Sequence, residues 1–354
     1  MKQITTLSLG FTFAGCFLGA GYVSGQEIWQ FFGAFGINGV IGLALAVALQ
    51  LTFGILLLRL ARITGLEELD KVVIRHDKPA LRAVLGASEV FFMFGVCVIM
   101  YAGAGALTAQ VFSLPAYLGS ALLCAVVCLL SLRGFSALLR VFSMAVPLLV
   151  ALTVAFSLVA LGKYGFGGFP SAQNSNPLLG SWGFSALTFV SYNLFCSIGV
   201  LTPLAKHIRD GKTLCRGVAL GCLFLFAIAF FIILSLCAYP QAAMAQLPML
   251  LVAGTLHPAA EFIFALLLLL AMLGASLSCH VAAVEYLGQK SAKLRRHRLP
   301  LTLALVILGW AGSLIGFSDL VGTVYPLCGY CGFAALICVI EHYIHARRNY
   351  ERNN

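Results

Sequence analysis

The sequence predicts an all-α integral membrane protein of ten transmembrane helices, arranged as a five-plus-five inverted repeat in which helices one and six are broken. Three observations predict it. The 354 residues are 61% hydrophobic and only 10% charged, with a mean hydropathy of +1.00, a composition outside the range of soluble globular domains. The basic residues sort to one side of the apolar runs. Polar or glycine-rich interruptions fall in the first and sixth runs, at corresponding places in the two halves.

Apolar runs of spanning length lie near residues 5 to 35, 38 to 60, 83 to 111, 117 to 132, 138 to 161, 182 to 205, 214 to 237, 258 to 286, 300 to 316 and 322 to 345. With the N-terminus inside, the inner connections hold Arg59, Arg62, Lys71, Arg75, Lys78 and Arg82, then Arg133 and Arg140, then Lys206, Arg209, Lys212 and Arg216, then Lys290, Lys293, Arg295, Arg296 and Arg298. Together with Lys2 and the tail residues Arg347, Arg348 and Arg352, 21 of the 22 basic residues then lie on one face, and Lys163 alone lies on the other. This asymmetry places both termini in the cytoplasm and supports the span count, because a miscounted span would scramble it.

The same clustering assigns the net charge of +10 to membrane topology and gives no role to nucleic acid. Lys2 and the apolar run that follows, with Phe13-Ala14-Gly15-Cys16, mimic a secretory or lipoprotein signal, but the thin basic region and the many later spans favour retention. All 12 cysteines lie in or beside apolar segments and read as small buried hydrophobes, with no disulfides expected. Cys328 and Cys331 have metal-like spacing without further ligands nearby, so they read as packing and no metal is expected.

Spans one to five and six to ten start at offsets close to half the chain length. Residues 1–162 are therefore expected to form the first five-helix repeat, 163–181 an outer connection and 182–354 the second repeat. Short echoes accompany the offset: Ala87 to Phe92 against Ala259 to Phe264, and Gly134 to Leu138 against Gly316 to Leu320. An odd number of spans per half inserts the second half upside down. The outer connections, 162 to 181 and 238 to 257, read as lid-like caps or plain connectors, the second with a short amphipathic helix around Ala242 to Ala253.

The chemistry concentrates in Gly19-Ala20-Gly21-Tyr22-Val23-Ser24-Gly25-Gln26-Glu27 and in a partner stretch, Ser191 to Gly199, that includes Tyr192, Asn193 and Ser197. Irregular backbone survives at membrane depth only where it lines a cavity or is buried in protein. Half-helix N-termini in such breaks can hold a carboxylate, and freed carbonyls can hold a cation. Ser24 and Glu27 have the spacing of a capping box, while an intramembrane carboxylate is also a candidate for substrate amine or a proton. Tyr192 reads either as packing or as part of the site. His280 is the one histidine well inside a span and reads either as a satisfied core histidine or as a proton-coupling group. Glu89, Glu261 and Glu285 are expected near membrane boundaries.

A glycine-alanine-glycine break in span one, five plus five inverted spans and a break in span six resemble the LeuT-type fold of the amino acid, polyamine and organocation transporter superfamily. The run Gly19 to Phe32 resembles bacterial YkvI-type membrane proteins, which implies a bacterial cell membrane. The resemblance implies that Gly19, Ala20 and Gly21 form an amide cradle for a carboxylate, with Tyr101 of span three as an aromatic lid. It also implies an ion site in which Ala275, Ser278 and Cys279 face the carbonyls of Gly15 and Leu18. Cys279 departs from that pattern, since a weak sulfur acceptor replaces a hydroxyl oxygen.

These features point to an ion-coupled secondary transporter of a small carboxylate-bearing solute, most readily an amino acid or relative, with Na+ or H+ as coupling ion and no cofactor. No nucleotide-binding motif is present for a primary pump. The alternatives are a non-transporting receptor or assembly factor on the same scaffold, or a membrane-embedded enzyme, for which intramembrane acids and histidines are few. The expected partners are the small solute and the lipid bilayer, and no feature fixes an oligomeric state.

Overall fold

The computed structural model describes residues 4–66, 69–74, 79–132, 138–171 and 176–353. The described residues are helical apart from connections and one isolated backbone bridge between Ile4 and Ile208. Span one is divided into α1 (Thr6–Phe17), α2 (Ala20–Val23) and α3 (Gln26–Phe31). There follow α4 (Ile37–Thr64), α5 (Leu69–Val73), α6 (Pro79–Phe112), α7 (Ala116–Ser131), α8 (Leu138–Tyr164), α9 (Trp182–Leu201), α10 (Gly211–Ala238), α11 (Pro248–Leu256), α12 (Pro258–Lys290), α13 (Ala292–Arg296), α14 (Arg298–Ser313) and α15 (Phe317–Asn353). Six helices among the described residues are long and apolar enough to cross a membrane, those beginning at Ile37, Pro79, Trp182, Gly211, Pro258 and Phe317. Four shorter apolar helices accompany them: Thr6–Phe17, Ala116–Ser131, Val150–Tyr164 and Arg298–Ser313.

Local signals set the helix ends. Thr5 caps α1 through the Ser8 amide at 3.2 Å, Asp210 caps α10 through Thr213 at 2.6 Å, and Ser181 caps α9 through Phe184 at 3.3 Å. Gly65, at φ +68°, ends α4 in the left-handed conformation that a side chain would resist. In the interior, α1 packs on α10, α6 on α12 and α7, and α9 on α15 and α4. Small residues let the backbones approach, since little hydrophobic driving force separates helix contact from lipid contact. A Cβ on Gly105 of α6 would lie 2.6 Å from the Ala116 carbonyl of α7. One on Gly221 of α10 would lie 2.9 Å from the Gly10 carbonyl of α1.

Span six differs from expectation, because α9 runs unbroken through Ser191 to Gly199 and tightens to a 3-10 helix only at Thr202–His207. Its polar side chains are satisfied without opening the backbone. Thr188 donates to Phe184 O at 2.8 Å, Asn193 to Phe189 O at 3.0 Å and Ser197 to Leu194 O at 2.9 Å, while Ser191 donates across to Gly329 O of α15 at 2.7 Å. Back-bonding of this kind lets a helix carry hydroxyl and amide groups through an apolar environment.

The connection between α10 and α12 folds as a 3-10 turn, Pro240–Met244, followed by α11, in which Met249, Leu250, Val252 and Ala253 are buried. Lys163 of α8 anchors it by donating to the Thr255 carbonyl, and Tyr164 stacks on Tyr239 at 4.9 Å. Of the sequence echoes, Gly134 to Ala137 lie outside the described residues.

Gly105→Leu is expected to lower unfolding stability by about 1–3 kcal/mol through overpacking of α6 on α7. Gly162→Leu, where a side chain would meet open space, is expected to have no effect. Thermal unfolding of the purified protein in detergent distinguishes the two.

Candidate functional site

The break in span one follows from its glycines. After Phe17 the chain leaves the helix: Gly19 is extended at ψ 175° and its amide turns back to Phe17 O at 2.9 Å. The carbonyls of Gly15, Cys16 and Leu18 consequently have no backbone partner among the described residues, and neither do the amides of Ala20, Gly21 and Tyr22 that open α2. A second interruption follows at Gly25, whose φ of +85° suits only a residue without Cβ. Tyr22 holds the intervening turn in place by donating to Leu225 O of α10 at 2.7 Å.

The connection before α12 closes over this second interruption, with the Met249 amide of α11 donating to Ser24 O at 2.8 Å. The expected capping box is not formed. Ser24 does accept from the Gln26 amide at 3.3 Å and donates to Gly21 O at 3.1 Å, but Gly25 is the N-cap, and the Ser24 amide bonds to Ala20 O instead of to Glu27. A left-handed residue at the cap swings the Glu27 side chain away from Ser24 and toward span six.

Glu27 is 3% exposed, and the Tyr192 hydroxyl of α9 donates to its Oε1. The Asn193 side chain comes within hydrogen-bonding reach of the same carboxylate. Gly21 makes room for it, since a Cβ there would stand 2.7 Å from Glu27 Oε2 and 3.3 Å from the Tyr325 ring. The Tyr192 ring stacks on Tyr325 of α15 with centroids 4.8 Å apart and planes 5° from parallel. Phe189, Phe31 and Phe92 surround it at 5.6, 5.7 and 6.3 Å. The result is a carboxylate buried beside an aromatic cluster, close to peptide donors and acceptors without backbone partners. A buried acid of this kind requires hydrogen-bonding partners, which Tyr192 and Asn193 supply.

Other expected residues lie elsewhere. Tyr101 is buried, but its ring meets α14, where a Cβ on Gly309 would lie 2.8 Å away, and Met100 is the α6 side chain nearest Gly19. One residue along a helix turns a side chain through about 100°, so Tyr101 does not cover the cradle. Ser197 is buried and bonded to its own helix. In α12, which packs on α2 and α6, Ala275 and Ser278 are half-buried, and the Cys279 thiol is within bonding reach of Cys196 of α9. His280 is 3% exposed, and its Nε2 makes no hydrogen bond among the described residues. Glu89 is buried in the protein rather than solvated: it is 3% exposed, and a Cβ on Gly199 would lie 3.5 Å from its Oε1. Glu285 does sit at an end, paired with Arg298 at 3.5 Å.

Sequence reasoning missed Tyr325, one aromatic among many in span ten and without any local signal. It also missed a polar latch. Gln26 donates to Ser318 Oγ at 2.6 Å and Gln30 to Ser318 O at 3.2 Å, while the Ser318 amide donates to Gln246 of the second outer connection at 2.8 Å. Asn176 of the first outer connection donates to Gly322 O at 2.9 Å. Gln26 and Gln30 stand four apart inside an apolar run, and that shared helix face was the available signal.

Tyr192→Phe removes a donor from a buried carboxylate and is expected to cost about 1–3 kcal/mol of stability. Tyr117→Phe, half-exposed on α7, is the control expected to cost nothing. Denaturant or thermal unfolding in detergent measures both.

No family model matches the chain. It is 25% identical over 337 residues to the uncharacterized membrane protein YkvI of Bacillus subtilis, covering 93% of this chain and 94% of the relative. It is 27% identical over 337 residues to the uncharacterized protein YyaD of the same organism, covering 92% and 93%. Among solved structures, MhsT in complex with L-phenylalanine superposes with a TM-score of 0.61 at 16% identity, covering 98% of this chain and all of the other. Inward-facing Mhp1 gives 0.60 at 15% identity, covering 98% and 78%. A single-site mutant of the Eremococcus coleocola manganese transporter gives 0.62 at 13%, covering 96% and 78%. The chain is thus similar to YkvI and YyaD over nearly its whole length and has the LeuT-type fold.

Proposed function

We propose that the chain is an ion-coupled secondary transporter that moves a small carboxylate-bearing solute, an amino acid or relative, by alternating access. The observation that carries this reading is the composition of the span-one break: three amides and three carbonyls without backbone partners among the described residues, and a buried carboxylate, within one short stretch. An amino acid presents complementary groups. Its carboxylate suits the amides of Ala20, Gly21 and Tyr22, and its ammonium suits Glu27 together with freed carbonyls. Tyr192, Asn193 and Ser24 then fix the geometry of Glu27 and of the break around it. The fold relative MhsT, observed with L-phenylalanine, supports the solute class by analogy.

Alternating access then consists of one helix bundle rocking around the central break to open the site to each side in turn, within the repeats 1–162 and 182–354 and with both termini cytoplasmic. The coupling ion is either sodium, taken between the Gly15 and Leu18 carbonyls and Ala275 and Ser278 of α12, or a proton carried by Glu27 or His280. The thiol of Cys279 turns toward Cys196, which favours the proton arm.

Uptake of a labelled amino-acid panel into proteoliposomes under imposed sodium or proton gradients tests the reading. Concentrative uptake under one gradient is expected. Gly21→Leu, which drives a side chain into Glu27 and Tyr325, should abolish it while the protein still inserts. Glu27→Gln should reduce it about tenfold or more, the worth of one hydrogen bond to a charged group. Solute binding without accumulation under either gradient would favour the receptor reading, and wild-type uptake by Gly21→Leu would remove the cradle.

A further inference from the structure

We propose that the hollow between α4 and α10, on the face expected to be cytoplasmic, binds the phosphate-bearing headgroup of an anionic phospholipid. The site is separate from the span-one break and does not depend on what the protein transports.

The hollow is an open surface depression of about 680 Å3, lined by Arg59 of α4 with Asp210, Gly211, Lys212, Cys215 and Arg216 at the start of α10. Three cations thus face one carboxylate. Asp210 is already committed to α10, accepting from the Thr213 amide at 2.6 Å, and that bond holds its carboxyl below the ordinary range, so it stays charged. Among the described residues no carboxylate lies within ion-pair distance of Arg59, Lys212 or Arg216. Arg59 is nevertheless positioned, with its Nη2 3.4 Å from Cys215 Sγ and Tyr343 of α15 within bonding reach. Beside it, Arg62 donates to the Arg209 carbonyl at 3.2 Å. A net charge of two positive units around an open hollow, with one guanidinium held by neutral partners, suits an oxyanion such as a phosphodiester.

The flanking surfaces identify the carrier of that anion as a lipid. On α10 the exposed residues Lys212, Arg216, Ala219 and Leu223 follow one helical stripe that changes from cationic to apolar. Eleven residues of helix span about 16 Å, enough to pass from headgroup depth into the acyl region. On α4, Arg59 heads a matching stripe through Thr52, Ala48, Leu45 and Ile41. Charges at the end of two lipid-facing stripes match a phosphate with acyl chains running along them. The uncompensated positive charge favours a headgroup without an amine.

The test uses the full chain, delipidated in detergent, with thermal unfolding followed as phosphatidylglycerol, phosphatidylcholine or inorganic phosphate is added. Phosphatidylglycerol should raise the midpoint, and the other two should leave it unchanged. In Lys212→Gln/Arg216→Gln, whose exposed side chains are dispensable for folding, the concentration needed for half the effect should rise about 30-fold, two cations each worth about fivefold. Equal shifts from phosphatidylcholine, an equal shift from inorganic phosphate alone, or an unchanged midpoint concentration in the double variant would each overturn the proposal. Native mass spectrometry of the wild-type chain gives a second measurement: preferential retention of phosphatidylglycerol supports the site, and equal retention of both lipids sinks it.

Discussion

Tyr192 and Glu27 meet where two spans would otherwise leave polar groups in hydrocarbon, and much of the surrounding structure depends on that contact. A carboxylate at this depth is tolerable only with donors around it. Tyr192 and Asn193 come from adjacent positions of α9, so one helix serves the acid from one side. The ring that carries the hydroxyl is fixed by stacking on Tyr325 and by Phe189, Phe31 and Phe92. Helices α3, α6, α9 and α15 thus converge on one hydrogen bond. Gly21 completes the arrangement by being too small to compete for the space.

The all-helical membrane architecture was legible in the sequence because hydrophobic length is a property of the whole chain. The first break was legible because glycine offers no side chain to reward a helix and permits the left-handed turn at Gly25. Span six was misread for a related reason. Ser191, Asn193 and Ser197 look like an interruption, yet each has a side chain able to bond a carbonyl, and in α9 each does. Polarity alone does not open a transmembrane helix; loss of side chain at consecutive turns does. Tyr101 and Met100 show a second limit, since one residue of helical phase decides which side chain reaches Gly19 and composition does not carry phase to that precision.

Contacts between distant segments were the least legible. The Met249 amide that closes over Ser24, and the bonds from Gln246 and Asn176 to span ten, come from connections that sequence reading leaves as lids or plain linkers. Most of their partners are backbone groups, which every residue possesses, so no pattern announces them. The connections are nonetheless part of the packed structure, because α11 buries Met249, Leu250, Val252 and Ala253 against the body of the protein.

The chemistry of those closing contacts bears on how the site could open. The bonds that join α3 and the outer connections to the start of α15 are neutral: amide to hydroxyl, amide to carbonyl, peptide amide to side-chain oxygen. A neutral hydrogen bond contributes about 0.5–1.5 kcal/mol net, because water replaces it when it breaks. Four such bonds join these segments by a few kcal/mol, whereas a buried ion pair would leave uncompensated charge on separation. Water entering from that side offers replacement partners for each group as it is released. Glu27 lies on the same helix as Gln26 and Gln30, but the Tyr192 hydroxyl bonded to its carboxylate comes from α9, so loss of the bonds to Ser318 removes no partner from the acid.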